Sequence, residues 1–462
     1  MYTRIVNGEE GAGRDKENNS WQKFCTSIES CDGAARIRKI LARDNNRTLG
    51  SLKKHDGTYT KNDKEMSETL IETHFPGCKI VNAPDWNNHG VRHPSEEDWT
   101  LANKIVTPER LTWAINTFHP FKTGGNDNIF PALLQWGQTQ LTPWLTAIYK
   151  ACIAYRYIPL AWREVKVIFL PKPGKSDYTL PKSFRPISLT SFLLKTLERL
   201  GDRFLRDGAL RDLPPHPNQH AYNTGKSAET ALHSVVTKIE RDLGNKISTL
   251  GTFIDIEGAF DKTTFNSIDK ALSRKYLHPT LRSWIRALLE HRIIQVDING
   301  TTKGIVARGC PQGGVLSPIL WNLVVDDLIT KLNTGGFYTI GYADDIVILI
   351  SGKLEYTLCE IMQRALRLIE RWCKENDLSV NPKKTELVLF TNKRKPDIPK
   401  LPTLFNTSLT LSNEVKYLGV TLDSKLSWKR HIEDKTNKAT IILHQCKRML
   451  GKTWGLKPKI MN

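Results

Sequence analysis

The stretch "IGYADDIVILI", Ile340–Ile350, places two adjacent carboxylates, Asp344 and Asp345, inside an otherwise apolar segment. Neighbouring strand residues point to opposite faces, so in one continuous strand one aspartate would face the core, where unpaired carboxylates are costly. A hairpin fits better, with "YTIGY" running in, "IVILI" running out and "ADD" at the bend. Aspartate favours turns in general, but these flanks are typical of a strand buried on both faces, and charge at such a tip suggests a cation.

Composition points to a polyanionic partner. The chain has 462 residues, with 67 Lys plus Arg against 48 Asp plus Glu and a formal net charge of +19. This balance suits nucleic acid, with a merely soluble basic protein as the plain alternative. No apolar run approaches the roughly 18 residues of a membrane span, so we expect no membrane association. Eight scattered cysteines without a C-x-x-C pair favour a reducing intracellular setting.

The order of predicted elements favours an α+β fold, because strands alternate with helices without the regular βαβ beat of a parallel sheet. Residues 1–103 are polar and irregular, and we interpret them as an N-terminal extension or linker. Beyond them, Thr107 predicts the N-cap of one helix, and Ser317, followed by proline, that of a long one. Asn299-Gly300 predicts a hairpin turn. Near the C-terminus we predict that "VKYLGVTLD" is a strand and that a last helix over about 428–450 ends at Gly451.

A second acidic strand end lies in "LGTFIDIEGAFDKTTFNS", residues 250–267. Asp255, Glu257 and Asp261 alternate there, which predicts one shared face while the strand stays extended, and Gly258 allows a bend. A half-exposed amphipathic strand would give the same alternation, although the apolar context "TFIDI" indicates a central strand. If this strand lies beside the Asp344 hairpin, three carboxylates converge. Such hard oxygen ligands suit Mg²⁺, and two ions about 3.5–4 Å apart would support a phosphoryl transfer.

Seven motifs in order then resemble the reverse transcriptases of non-LTR, LINE-type retrotransposons, in particular the jockey-like ones. They are "FRPISLTSFLLKTLERL", "QHAYNTGKSAETAL", "FIDIEGAFDKT", "GCPQGGVLSPILWNLVVDDL", "YADD", "NPKKTELVLF" and "VKYLGVTLD", colinear over about 104–428. The resemblance implies a right-hand polymerase, α+β, with an antiparallel palm sheet. Residues 104–153 would begin the fingers, 154–423 would form the fingers and palm, and 424–462, from Trp428 into a basic helix, would start the thumb.

The resemblance also implies roles for the acidic residues and their neighbours. Asp255 and Asp344 would hold two Mg²⁺ ions, with Mn²⁺ as a possible substitute, and Asp345 would complete the acidic tip. Phe260 stands where the family has an aromatic gate that excludes a ribose 2′-OH; ordinary core packing is its alternative. The chain would have to turn near Gly258 for Phe260 to reach the same site as Asp255.

Further roles follow from matching positions. Gln312 and Gly313 resemble residues that line the nucleotide and template pocket, and Lys172 and Arg185 resemble fingers cations that grip the triphosphate. Lys384 matches a lysine proposed to protonate the leaving pyrophosphate. A solvated basic loop would explain the fingers cations equally simply, and Lys166 and Lys175 are neighbouring candidates. The primer grip would comprise three consecutive residues, Tyr417, Leu418 and Gly419.

The function implied is RNA-directed DNA polymerisation by a retrotransposon enzyme, with an RNA template, a DNA primer or target DNA, and deoxynucleoside triphosphates as partners. The family resemblance implies that the protein is located in the nucleus and in a cytoplasmic ribonucleoprotein. No endonuclease motif stands in 1–103, and "WGLKPKIMN" follows soon after the first thumb helix, so we expect a fragment of a longer protein. A group II intron-type enzyme and an RNA-binding remnant without catalysis stay open as alternatives.

Overall fold

The computed structural model describes residues 50–81, 93–394 and 400–446, together with 20, 22, 23 and 26–28. Residues 50–426 form one compact unit. A second unit comprises 1–49 and 427–462, and its described part includes the helix Lys429–Cys446. The predicted end at Gly451 lies outside the described residues. None of the helices in the described ranges has both the length and the apolar character needed to cross a bilayer.

The described ranges contain both helices and strands, with five consecutive helices between β1 and β2. The helices are α1 Asp63–His74, α2 Glu96–Ile105, α3 Pro108–Asn116, α4 Pro131–Trp136, α5 Gln138–Ala154, α6 Leu160–Arg163, α7 Phe192–Asp207, α8 Ala209–Asp212, α9 Ala228–Gly244, α10 Phe265–Arg274, α11 Pro279–Leu289, α12 Ser317–Thr334, α13 Glu355–Asn376 and α14 Lys429–Cys446, with a 3-10 turn at Pro181–Ser183. The strands are β1 Lys79–Ile80, β2 Glu164–Pro171, β3 Phe184–Leu189, β4 Ser248–Glu257, β5 Ile293–Asp297, β6 Thr301–Ile305, β7 Tyr338–Tyr342, β8 Asp345–Gly352, β9 Ser379–Val380, β10 Glu386–Phe390, β11 Thr403–Leu404, β12 Thr407–Ser408, β13 Leu411–Ser412, β14 Glu414–Tyr417 and β15 Val420–Asp423.

The palm sheet carries both acidic segments. Its order is β13-β10-β4-β8-β7, and β9 pairs with the end of β4. β4 runs antiparallel to β8, with Asp255 opposite Asp345, and β7 pairs with β8 as the predicted hairpin. The interior of β8 is buried, as its Ile, Val and Leu residues require. The predicted α+β fold is therefore confirmed, and the palm sheet is antiparallel as predicted except for the parallel pair of β10 and β13.

A second sheet lies in the fingers, in the order β1-β6-β5-β2-β3. The predicted hairpin of β5 and β6 is confirmed, and Asn299 adopts the left-handed φ of +46° that its turn requires. β1 adds to the edge of this sheet by pairing with β6. α1 and β1 belong to the same compact unit as this second sheet. The stretch 50–81 is therefore folded, although the sequence predicts an extension or linker over 1–103.

The core lies between the palm sheet and its helices. α12 is apolar on nearly every side, which predicts full burial, and Trp321 in its middle is completely buried. α13 presents one apolar stripe to the strands β4 and β8, ending in the buried Trp372. On α11 the buried Trp284 packs against Gly201 of α7, where an added Cβ would come within 3.2 Å of the ring.

The predicted N-cap at Thr107 is confirmed, because its side-chain hydroxyl accepts a hydrogen bond from the Arg110 amide. Two other local predictions are wrong. Ser317 is not the N-cap of α12 but its first residue, and its hydroxyl donates to the Pro311 carbonyl instead. The backbone amides of Val315 and Leu316, just before the helix, donate to Glu198 instead. No local sequence pattern predicts this partner. "VKYLGVTLD" is not one strand but the hairpin of β14 and β15.

Candidate active site

The acidic tip is held in a conformation that a non-glycine residue adopts only at a cost. Ala343, between the two strands of the hairpin, has φ +57°. Its carbonyl accepts a hydrogen bond of 3.0 Å from the indole of Trp321, and the carbonyl of Asp344 accepts one of 3.1 Å from the amide of Ile256. These bonds from α12 and β4 fix the tip, so Asp344 stands at the turn and Asp345 begins β8.

All three aspartates have raised pKa values, and for Asp255 and Asp345 repulsion from neighbouring carboxylates adds to the effect of burial. Burial, then repulsion from Asp344 and Asp255, raises the pKa of Asp345 to about 7. Burial, then repulsion from Asp344, also raises the pKa of Asp255, although Lys384 opposes the shift. Burial raises the pKa of Asp344, with Arg185 opposing. The structure thus brings together the three carboxylates that the sequence singled out, and it leaves their mutual repulsion largely uncompensated.

Glu257 shares the face of Asp255, as alternation along β4 predicts. Lys384 bridges the two, with its Nζ 3.9 Å from Asp255 Oδ2 and 3.8 Å from Glu257 Oε1. Glu257 also accepts a hydrogen bond of 3.2 Å from Asn381. Asp261 departs from the prediction, because β4 ends at Glu257 and Asp261 lies in the turn that follows. Its position beside the site therefore comes from the bend and not from strand alternation.

Phe260 lies in the bend that follows β4. Gly258 has φ +68°, and the amide of Lys262 donates to its carbonyl at 2.7 Å, which closes the predicted turn. The Phe260 carbonyl accepts a hydrogen bond of 2.6 Å from Cys310. The Phe260 ring is half-buried and packs on the main core cluster. Part of the ring is thus available to a ligand while the rest contributes to packing.

The loop before α12 crosses β3 and reaches the turn after β4. The Gln312 carbonyl accepts a 2.7 Å bond from the Ser188 amide, and its side-chain amide donates to Asp261 at 3.1 Å. Gly313 has φ +118°, and a Cβ there would lie 2.6 Å from the Ser188 carbonyl oxygen, so only glycine fits. Burial raises the pKa of Asp261 to about 7, against the opposing charge of Arg292 and Lys172.

The two predicted fingers cations lie on β3 and directly after β2. Arg185 pairs with Leu170 across the two strands and lies near enough to Asp344 to lower its pKa. Burial, then the charge of Arg185, lowers the pKa of Lys172, whose Nζ donates to the Lys182 carbonyl at 2.9 Å. Lys166 instead forms an ion pair of 3.1 Å with Asp297, so it is occupied away from the carboxylates.

The predicted primer grip is the tip of the β14–β15 hairpin. Leu418 and Gly419 have φ +46° and +83° and form its turn. The Tyr417 ring is buried, with its centroid 5.6 Å from that of Phe253. Burial, then the charge of Asp345, raises the pKa of Tyr417. The turn therefore lies next to the acidic tip, and its backbone is more accessible than the tyrosine ring.

The donor set fits a hard divalent cation. Within the ranges that the structure describes, no group of three or more His, Cys, Asp and Glu side chains cages a metal ion by itself. The oxygens of Asp255, Asp344 and Asp345 are nevertheless the type that Mg²⁺ prefers. A divalent charge would offset the burial that raises all three pKa values and the repulsion that adds to it at Asp255 and Asp345. Carboxylates in this arrangement can bind cations that also contact phosphate oxygens.

Sequence reasoning missed the residues that fix the loop before α12. The buried Glu198 accepts hydrogen bonds from the amides of Val315 at 2.6 Å and Leu316 at 2.9 Å. The buried Arg292 guanidinium donates to the Gly309 carbonyl, and Asp261 holds Gln312. The available signal was a charged residue within an apolar stretch, as in "LLKTLERL" and "EHRIIQV". The partners lie too far along the chain to be identified from it.

Comparison with known proteins gives the family. Residues 170–422 match the family model described as reverse transcriptase (RNA-dependent DNA polymerase). The Pol polyprotein of the type-1 retrotransposable element R1 from Bradysia coprophila is 27% identical over 443 residues, covering 94% of this chain and 42% of its own length. The RNA-directed DNA polymerase from mobile element jockey of Drosophila funebris is 29% identical over 390 residues, covering 81% of this chain and 42% of its own length.

A solved structure is also similar, that of apo telomerase from Candida tropicalis truncated from its C-terminal domain. The similarity has a TM-score of 0.40 and 13% identity, covering 64% of this chain and 59% of that one. The chain spans less than half the length of the two curated relatives. The resemblance to polymerases of non-LTR retrotransposons is confirmed, and the chain belongs to the reverse transcriptase (RNA-dependent DNA polymerase) family.

Proposed function

We propose that this chain extends a DNA primer 3′-OH with deoxynucleotides on an RNA template, as part of a non-LTR retrotransposon protein that acts in the nucleus and in cytoplasmic ribonucleoprotein. The observation that carries the proposal is the convergence of Asp255, Asp344 and Asp345 at adjoining strand ends, with raised pKa values and few compensating cations. A purely structural role would call for buried carboxylates to be paired.

Asp255 and Asp344 would hold two Mg²⁺ ions, or Mn²⁺ in their place, with Asp345 completing the anionic tip. When bound, such a pair stabilises the attacking and leaving oxygens of an in-line phosphoryl displacement. Arg185 in β3 lowers the pKa of Asp344, and Lys172, which directly follows β2, lowers that of Asp255; both cations would bind the triphosphate. Their positive charges would also hold the developing negative charge on the leaving pyrophosphate.

Lys384 would give a proton to the pyrophosphate as it leaves. Its ammonium lies beside Asp255 and Glu257 at nearly 4 Å from each, so it is close to the reacting end of the substrate without a tight ion pair. Positioned proton donors typically contribute about 10²–10⁴-fold. Phe260, half-buried at the end of the bend, would exclude a ribose 2′-OH, and the β14–β15 turn would hold the primer end.

The proposal is tested by extension of oligo(dT) on poly(rA) with dTTP and Mg²⁺. We expect incorporation by the wild type, loss on chelation of the metal by EDTA, and loss in Asp344→Ala. Asp212→Ala is the matched control, because the Asp212 side chain is 71% exposed on α8 and belongs to no cluster of carboxylates. Binding of the RNA–DNA hybrid without incorporation at any Mg²⁺ level would reject the polymerase and favour an RNA-binding remnant.

A further inference from the structure

We propose that His74 is a positioning residue for nucleotide binding, because it holds the loop that fixes the ammonium of Lys172. This loop, residues 172–183, joins β2 to β3 and is called the fingers loop below. The inference rests on the proposed function, in which Lys172 binds the triphosphate. His74 is the last residue of α1, its side chain is buried, and it lies before the seven motifs that span about 104–428.

The fingers loop binds Lys172 at three points. The Lys172 amide donates to the Ser183 carbonyl at 2.8 Å, and its Nζ donates to the Lys182 carbonyl at 2.9 Å. Its own carbonyl accepts a 2.8 Å bond from the Tyr178 hydroxyl. Lys172 lies near enough to Asp255 to lower the pKa of that carboxyl. The loop therefore sets where this ammonium stands beside the acidic residues.

His74 binds the carbonyl next to the one that accepts the Lys172 ammonium. Its Nε2 lies 3.0 Å from the Pro181 carbonyl oxygen, and the following carbonyl, that of Lys182, accepts the bond from Lys172. Both carbonyls belong to the 3-10 turn Pro181–Ser183. A single turn of this kind has poor hydrogen-bond geometry of its own, so a bond from outside contributes much to its position. Loss of the His74 bond would therefore let the acceptor of Lys172 shift.

The His74 ring is neutral near pH 7, which fixes its part in this bond. Burial lowers the pKa of His74 to about 4, the Pro181 bond opposes the shift, and the charges of Lys172 and Lys182 add to it. A neutral imidazole carries one N–H, and a carbonyl oxygen can only accept, so that proton lies on Nε2. His74 thus acts as a hydrogen-bond donor and not as a charge.

Packing and a second backbone bond join the same two parts of the chain. The His74 ring centroid lies 5.5 Å from that of Phe169, a buried residue of β2 just before Lys172. The Lys53 amide donates to the Thr179 carbonyl of the fingers loop at 2.8 Å. A purely structural His74 would need only the ring contact, whereas a positioning His74 needs the Nε2 donor. A substitution that keeps a ring and removes the donor separates the two roles.

The test measures the affinity for dTTP in a complex that cannot react. Each variant is bound to poly(rA)/oligo(dT) whose primer ends in dideoxythymidine, and calorimetric titration with dTTP and Mg²⁺ gives the Kd. We expect His74→Phe to raise this Kd about fivefold, the effect of losing one neutral hydrogen bond. His74→Gln, whose side-chain amide supplies a donor near the position of Nε2, should stay within about twofold of wild type. His55→Phe, at an exposed histidine in the turn before α1, is the control.

A double-mutant cycle shows whether the effect passes through Lys172. Lys172→Ala alone should raise the Kd of dTTP by more than about tenfold, as expected for a lost contact with a charged group. In the Lys172→Ala background, His74→Phe should change the Kd by less than about twofold, because the two residues act on one contact. The same fivefold effect of His74→Phe in both backgrounds, or an unchanged Kd in His74→Phe alone, would overturn the proposal. So would a His74→Gln variant as weak as His74→Phe.

Turnover with an extendable primer separates this proposal from the polymerase itself. His74→Phe should raise the KM for dTTP about fivefold and leave kcat per folded molecule within about twofold, with folding verified by circular dichroism. Normal incorporation with an unchanged KM in His74→Phe would reject the positioning role and leave the polymerase standing. A Kd of dTTP that depends on His74, in a wild type that does not incorporate, would support the positioning role and reject the polymerase.

Discussion

Carboxylates lie at both ends of the antiparallel pair of β4 and β8, on the strands and their hairpin tip at one end and on the neighbouring helix α9 at the other. The two ends differ in how those carboxylates are satisfied. Where Thr249 faces Ser351, Asp242 of α9 accepts bonds from Lys238 at 2.5 Å, Thr249 at 2.9 Å and Ser351 at 2.6 Å. Burial would raise the pKa of Asp242, but these three bonds outweigh it and lower the pKa.

At the other end, Asp255 faces Asp345 with Asp344 beside them, and all three pKa values are raised. The strands and their apolar interiors are shared, so the difference does not come from the sheet. It comes from the hydrogen-bond partners. At one end three donors surround the single carboxylate of Asp242, whereas at the other end three carboxylates share few donors. A satisfied carboxylate stabilises the fold, whereas an unsatisfied cluster is stable only if a ligand compensates it.

The largest effect should come from the unsatisfied end. Asp255→Asn keeps the shape of the side chain but removes one anionic ligand, so we expect kcat for dTTP incorporation to fall by more than the roughly 10–100-fold typical for loss of an outer-shell partner. The free energy of unfolding should stay the same or rise, since repulsion is relieved. Activity retained within about threefold would break the comparison.

The satisfied end should show the reverse response. Asp242→Ala leaves Lys238, Thr249 and Ser351 without their acceptor, so we expect the free energy of unfolding to fall by about 3 kcal/mol. Urea denaturation followed by circular dichroism measures this loss. Incorporation per folded molecule should remain close to wild type, and a selective loss of kcat in a stably folded Asp242→Ala would contradict the structural role.

Two phenylalanines sharpen the contrast between the ends. Phe260 follows the acidic end of β4, whereas Phe390, fully buried, pairs with Thr249 at the other end. Phe260→Val should shift the ratio of kcat/KM from dGTP toward GTP by about tenfold, equivalent to about 1.4 kcal/mol, because the gate is steric. Phe390→Val should lower the melting temperature without changing the ratio. An unchanged ratio in Phe260→Val with a lowered melting temperature would assign Phe260 to packing.

A further difference between the two ends concerns pH. Asp261 has a pKa raised to about 7, so the folded state binds more protons than the unfolded chain between about pH 4 and 7, and its contribution to stability is lost as pH rises through that window. Asp261→Asn does not titrate, so its stability relative to wild type should increase from pH 5 to pH 8. Asp242→Asn should show no such change over this range, because the pKa of Asp242 is lowered. The measurement is the midpoint of urea denaturation for the wild type and both variants at pH 5 and at pH 8.

The sequence predicts the acidic end well because its signal is local. Two adjacent aspartates between apolar runs favour a turn, and a second acidic strand end in an equally apolar context supplies the third carboxylate. The satisfied end gives no such signal. Asp242 is one acidic residue on an amphipathic helix, and its partner Ser351 lies 109 positions away. Which carboxylates are paired depends on contacts that only the fold creates.

The same limit explains the errors. Ser317 has the local pattern of an N-cap, but Glu198, over a hundred residues earlier, binds the helix start and leaves Ser317 inside it. "VKYLGVTLD" lacks the Asn-Gly or Asp-Gly signal of a hairpin, and Leu418 takes the left-handed turn position that those residues usually occupy. Strand alternation predicts Asp261 on the face of Asp255, but β4 ends at Glu257 and Asp261 lies in the bend, where it accepts a hydrogen bond from Gln312.

The central claim is that the unsatisfied carboxylates carry the chemistry and the satisfied one carries the fold. Its most direct test is the single-turnover rate of dTTP incorporation on poly(rA)/oligo(dT), normalised to folded protein, for Asp344→Asn against Asp242→Asn. The account predicts a loss of at least about 10³-fold in Asp344→Asn, comparable to removal of a main transition-state stabiliser, and a change within about threefold in Asp242→Asn. Equal losses in the two variants, or a larger loss in Asp242→Asn, would contradict it.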